Sequence, residues 1–164
     1  MRILGIDPGT AIVGYGLIDV QGNKLSAIDY GCITTPAHTP MEKRLEMLYK
    51  GMNQLLDEVK PDAVAVEELF FNRNITTAIT VGQARGVILL SIAQRNIEFA
   101  EYTPLEVKQA VVGYGRAEKQ QIQYMVTSLL RLKNVPKPDD AADALAIAIC
   151  HSHYRNTKKL RGEV

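Results

Sequence analysis

Cysteine, excess charge and long apolar runs are all scarce in this chain. Only two cysteines occur, Cys32 and Cys150, far apart and without metal-ligand spacing. That argues against a disulfide bridge or a thiolate metal site, so free, buried thiols are expected. No apolar run approaches the roughly 20 residues that cross a bilayer, and no basic-then-apolar leader precedes the opening Met1-Arg2-Ile3-Leu4-Gly5-Ile6-Asp7. A cytoplasmic address without a membrane partner is expected. The formal net charge is only +1, so a nucleic-acid partner depends on where the basic residues lie, not on their sum. Internal repeats and low-complexity segments are absent as well.

What is there suits one folded domain: 164 residues, 46% of them hydrophobic and 23% charged, the proportions of an average soluble protein with a single core. Arg2–Asp7 is a short apolar run that ends in an Asp-Pro-Gly turn, and Ile12–Val20 is a second strand-like stretch. Gln21-Gly22-Asn23 predicts a hairpin into a third strand over Lys24–Thr35. From Thr39-Pro40-Met41-Glu42 the period changes, and Leu45, Leu48, Met52, Leu55, Leu56 and Val59 recur at helical spacing. The strand Asp62–Glu68, a helix over Ile75–Arg95, the strand Ile97–Tyr102 and a helix-rich C-terminal half follow. Gly113-Tyr114-Gly115 reads as a loop between helices. Three strands, helix, strand, helix, strand and then helices is the order of an α/β ribonuclease H-like fold, a mixed five-stranded sheet flanked by helices.

Three features carry chemistry. Asp7 closes the first strand, where it serves either the turn or a site at the sheet's edge. Glu67 and Glu68 close an apolar strand, and a carboxylate there is costly unless paired or bound to metal. Alternation sends their side chains to opposite faces, so one of the two points into a site. Asp139, Asp140 and Asp143 open an apolar helix: Asp139 is placed as N-cap, while Asp140 and Asp143 share a face at i,i+3. Acids in a first turn also complement the helix dipole, but three exceed what capping needs. Together, Asp7, Glu67, Asp140 and Asp143 would repel one another unless a hard divalent cation joined them. Mg²⁺ suits such oxygen donors, and two ions about 3.5–4 Å apart would serve in-line phosphodiester hydrolysis.

The ordered set Gly5-Ile6-Asp7-Pro8-Gly9-Thr10, Gly14-Tyr15-Gly16, Ala65-Val66-Glu67-Glu68-Leu69-Phe70, Gly82-Gln83-Ala84-Arg85-Gly86, Val107-Lys108-Gln109, Gly113-Tyr114-Gly115, Ala117-Glu118-Lys119 and Asp140-Ala141-Ala142-Asp143-Ala144-Leu145-Ala146 resembles the bacterial RuvC family of Holliday-junction resolvases. The resemblance runs in order to about His151. It implies a structure-selective endonuclease that resolves four-way junctions by paired symmetric nicks, in recombination and repair. It implies Asp7, Glu67, Asp140 and Asp143 as catalytic metal ligands, with Mg²⁺ as cofactor, two ions per subunit, and Mn²⁺ as a substitute. Lys108 and Lys119 fall on basic residues beside the scissile phosphate, and Phe70 on an aromatic that stacks on bases at the crossover, against a plainer reading of Phe70 as core packing. Glu68 receives no role.

Arg73, Arg85 and Arg116, with Lys108 and Lys119, are expected to touch phosphates of four-way junction DNA. A homodimer is implied, for which Gly82 and Gly86 would let a second helix approach, unless they pack on the sheet. A branch-migration helicase complex, RuvA and RuvB, is implied as partner. The nuclease domain is placed at residues 1–156 and a disordered basic tail at 157–164, its Lys158-Lys159-Leu160-Arg161 run solvated or touching phosphate. Two rivals differ in substrate: a YqgF-type ribonuclease H-like nuclease acting on ribosomal RNA precursors, and a sugar-kinase or actin-like nucleotide-binding module, for which the chain is short. A catalytically silent junction binder is a third, disfavoured by the presence of all four acids.

Overall fold

The computed structural model describes residues 1–68 and 75–160. Three antiparallel strands open the chain: β1 (Arg2–Asp7), β2 (Ile12–Gln21) and β3 (Lys24–Thr34). Helix α1 (Met41–Val59), strand β4 (Ala63–Glu67), helix α2 (Ile75–Ala93) and strand β5 (Glu98–Tyr102) follow, then α3 (Pro104–Val112), α4 (Lys119–Leu129) and α5 (Asp139–Leu160). The sheet order is β3-β2-β1-β4-β5, with β4 parallel to β1 and β5 parallel to β4. This is the mixed five-stranded, ribonuclease H-like arrangement expected from the pattern.

The sheet's two faces bury different helices because side chains alternate along each strand. Leu4, Ile6, Val13, Leu17, Val64 and Val66 face α1 and α2, meeting Leu48, Met52, Leu56, Ile88 and Ile92. Ile3, Ile18 and Ala65 face α5, with Val107, Ile122 and Val126 of α3 and α4 completing that core. Arg95, just past α2, clamps α2 to α1 through Asn53 and Asp57.

Helix α5 lies unusually close to the sheet, and three glycines make this possible. A Cβ on Gly5 would stand 2.0 Å from the Ala144 carbonyl oxygen, and one on Gly14 2.1 Å from that of Asp140. On Gly16 it would meet Leu145 at 2.7 Å. Any side chain at these positions would force helix and sheet apart.

Several expectations shift in detail. Asp139 is not the N-cap of α5 but its first residue; the Pro138 carbonyl accepts the Ala141 N–H at 3.0 Å. The Asp139 carboxylate is drawn aside by Lys137 and Lys119, at 3.0 and 3.3 Å. Helix α5 continues through Leu160, past the position where a tail was expected to begin. Both cysteines are free, but only Cys150 is buried, Cys32 being half-buried on β3. Of the two readings of Gly86, packing on the sheet is set aside, since the residue is exposed with nothing within 4 Å of where its Cβ would lie.

Candidate active site

Two neighbouring parallel strands deliver the first two acids. The register Ile6↔Val66 places Asp7 and Glu67 side by side at the carboxyl ends of β1 and β4. Both fall on the odd-numbered face, the one that carries Gly5 and Ala65 beneath α5. Glu68, one residue on, is exposed, and its N–H donates to the Tyr102 carbonyl. Alternation thus separates the two glutamates as expected, and Glu67 is the inward one.

Helix α5 brings the others. Its first turns cross β1 and β2, so Asp143 enters a depression of about 250 Å³ that Asp7, Glu67, Lys108 and Lys119 also line. Pro104, Val107, Ile122 and Ala146 form the apolar part of its wall. Asp140 lies outside this wall, its backbone carbonyl over Gly14, yet close enough for its charge to act on Asp7.

The electrostatics follow from crowding acids in partial burial. Burial first, then the charges of Glu67, Asp143 and Asp140, push the Asp7 carboxyl up to about 8, with Lys119 opposing. Burial and Asp143 raise Glu67 to about 7, against the pull of Lys108. Asp143 is raised by burial, which Lys119 partly offsets. Burial opposes the charge on Lys119, but Asp143 and Asp139 outweigh it and keep the ammonium protonated above its ordinary range. Its Nζ stands 3.3 Å from each of those two carboxylates.

The two lysines do not offset burial and mutual repulsion at Asp7 and Glu67, so further positive charge would favour both carboxylates. The donors are all oxygens, which suits a hard divalent cation better than a soft one. Among the described residues no three His, Cys, Asp or Glu side chains converge closely enough to enclose an ion; the acids border the depression without meeting at a point. By the chemistry of the donors the residues fit a metal such as Mg²⁺.

The remaining expected contacts divide. Arg116 is exposed on the loop between α3 and α4. Arg85 is not at the depression: its side chain is 17% exposed and paired with Glu101 of β5. Phe70 and Arg73 lie outside the described residues. The close-packing role of Gly5, Gly14 and Gly16 escaped the sequence reading. Its signal was glycine recurring on one face of two strands otherwise rich in β-branched and aromatic residues.

A family model for the crossover junction endodeoxyribonuclease RuvC matches residues 3–151. The crossover junction endodeoxyribonuclease RuvC of Desulfitobacterium hafniense is 67% identical over 156 residues, 95% of this chain and 94% of the relative. The solved structure of Thermus thermophilus RuvC superposes with a TM-score of 0.89 at 36% identity, covering 96% of both chains. The same protein in complex with a Holliday junction substrate gives a TM-score of 0.87 at 34% identity, again over 96% of each.

Proposed function

Because the chain belongs to the RuvC family of crossover junction endodeoxyribonucleases, we propose that it resolves four-way Holliday junctions by paired, symmetric, Mg²⁺-dependent nicks. The observation that carries this reading is the one depression that Asp7, Glu67 and Asp143 line together with Lys108 and Lys119. Acids alone would repel a phosphodiester, and lysines alone would only bind one; the combination suits hydrolysis.

Asp7, Glu67 and Asp143, with Asp140 beside them, would hold the metal. When bound, two Mg²⁺ ions, or Mn²⁺ in their place, supply activation of the attacking water and stabilisation of the leaving oxygen. The lysines have a separate task. Lys108 and Lys119 attract the phosphodiester and fix its oxygens so that the water–phosphorus bond forms opposite the bond that breaks. Lys119 stays protonated while doing so, since its carboxylate neighbours favour the ammonium. Val107, Ile122 and Ala146 keep one side of the depression dry, which strengthens these interactions.

A two-fold junction calls for a two-fold enzyme. On α2, Ile79, Gln83, Gly86 and Leu90 are exposed in one line at spacings of four, three and four. Ile79 and Leu90 are 58% and 52% exposed. This is the seam spacing of paired helices, and the bare Gly86 allows close approach. We assign it as the face on which a second copy docks. Arg116 joins the lysines in phosphate contact, and a branch-migration helicase is the expected partner on the same DNA in the cytoplasm.

Cleavage of a labelled four-way junction, beside linear duplex and structured RNA, with Mg²⁺ and with EDTA, tests the reading. Symmetric nicking of the junction alone, only with Mg²⁺, is expected. Cutting of the RNA in preference, or of no junction of any sequence, would overturn it.

A further inference from the structure

We propose that Tyr114 and Leu105 form an apolar platform at the rim of the acidic depression, on which a base of the strand entering the site stacks. The proposal rests on the nuclease reading above and adds a substrate contact to it.

The chain between α3 and α4 makes the platform. Gly113 ends α3 in the left-handed region, at φ +92°, and turns the backbone away. The segment then runs back along the helix, because a Cβ on Gly115 would stand 2.2 Å from Leu105 Cδ1 and 3.7 Å from Gln109 Cγ. Leu105 belongs to the first turn of α3, directly after Pro104, which lines the depression, and shortly before Val107 and Lys108, which line it too. The returning loop therefore ends beside the catalytic pocket, where Lys119 opens α4.

Both apolar side chains there face water. Leu105 is 54% exposed and Tyr114 is 47% exposed. Leu105 in turn rests on the Gly115 backbone, so the leucine and the loop brace each other. An exposed ring beside a charged cleft offers a π-face on which a base can stack. Charge decides which ligand. Lys108 lies one turn after Leu105 on α3, Arg116 follows Tyr114 in the loop and Lys119 opens α4, and among the described residues no ion pair engages Lys108 or Arg116, while Lys119 is paired with Asp139 and Asp143. Cations beside an aromatic surface match a single-stranded nucleic-acid segment, with phosphates on the lysines and a base on the ring. A protein partner would have to sit beside the acids of the adjoining depression. The occupant is thus the unpaired nucleotide next to the scissile phosphate, splayed from the crossover.

Tyr114→Ala, Tyr114→Phe and Leu105→Ala, each in the full chain, test this by junction affinity and single-turnover cleavage. Tyr114→Ala is expected to weaken junction binding about tenfold, within the cost of losing one base–aromatic stack. Tyr114→Phe keeps the ring and should bind like the parent. The slope of log affinity against log salt should stay unchanged in both, since no phosphate contact is removed. A 5-iodouracil placed next to the scissile phosphate should photocrosslink to Tyr114. Parental binding by Tyr114→Ala, equal losses in the Phe and Ala variants, or a crosslink elsewhere would each overturn the platform while leaving the nuclease intact. A parent chain that cleaves no junction would overturn the underlying reading, and the platform with it.

Discussion

Gly14 lies directly beneath Asp140: a Cβ built on the glycine would stand 2.1 Å from the Asp140 carbonyl oxygen and 2.5 Å from its carbonyl carbon. Gly14 also pairs with Asp7 across β1 and β2. One missing side chain thus sets the separation between a strand acid and the helix that carries two more.

Gly14→Ala should therefore push the start of α5 outward while the rest of the core holds. The expected cost is about 1–3 kcal/mol of stability, as for overpacking elsewhere. Cleavage should fall at least 100-fold, as roughly 1 Å misplacement of catalytic groups does. Thermal unfolding and single-turnover kinetics on the same preparation check this; parental cleavage would show that helix position does not govern the site.

Asp7→Asn should abolish cleavage and leave junction affinity within about twofold, because the basic contacts and the shape are untouched. It should also stabilise the metal-free protein at pH 8. The sign follows from the raised carboxyl. Between its ordinary value of 3.8 and about 8 the folded state holds a proton that the unfolded state has lost, so stability falls as pH rises through that window. The amide removes this penalty. A melting temperature about 2–4 °C higher at pH 8, the shift that roughly 1 kcal/mol gives in a domain of this size, should vanish near pH 4.

Mg²⁺ affinity should climb more than about tenfold from pH 6 to pH 8, since binding requires deprotonated ligands and Glu67 and Asp7 release protons at about 7 and about 8. Calorimetry in two buffers of different ionisation enthalpy would register the released protons. Affinity independent of pH would mean that these two carboxyls do not take up the ion.

Leu90→Glu should convert a dimer to a monomer in sedimentation velocity, because it sets a charge in the apolar line of α2 opposite its own copy. Leu90 is exposed in the single chain, so the fold should melt within a few degrees of the parent. A parent that sediments as a monomer would remove α2 as an interface.

Lys119→Ala should slow the single-turnover rate while junction affinity changes little, as one phosphate contact is a small share of the whole. A rate equal to the parent's would place Lys119 outside the reaction.

Much of this is legible in the sequence. Strand and helix periods are strong in β1, α1 and β4, so Asp7 and Glu67 could be set at strand ends, and the i,i+3 spacing of Asp140 and Asp143 sufficed to put them on one face. Four details are not. Asp139 looks like an N-cap by composition, but Lys119 and Lys137 compete for its carboxylate, and Lys119 arrives from another helix. Arg85 sits in a family motif, yet its partner Glu101 is on the edge strand, a tertiary pairing that local pattern does not encode. The position of Asp140 outside the lining of the depression depends on how α5 crosses the sheet. Gly86 favoured an outward contact, but inward packing stayed open because α2 has few charges to mark its solvent face.

The contact between α5 and the sheet at Gly5 and Gly14 is made by peptide groups on both sides. Side chains can rotate to take up slack, and peptide groups cannot. The spacing of the acids is accordingly a ruler built from covalent geometry, indifferent to how the aliphatic core on the far face is composed. Core substitutions there can raise or lower the melting temperature of this protein without recalibrating its catalysis, so stability and activity are tunable through separate sets of residues.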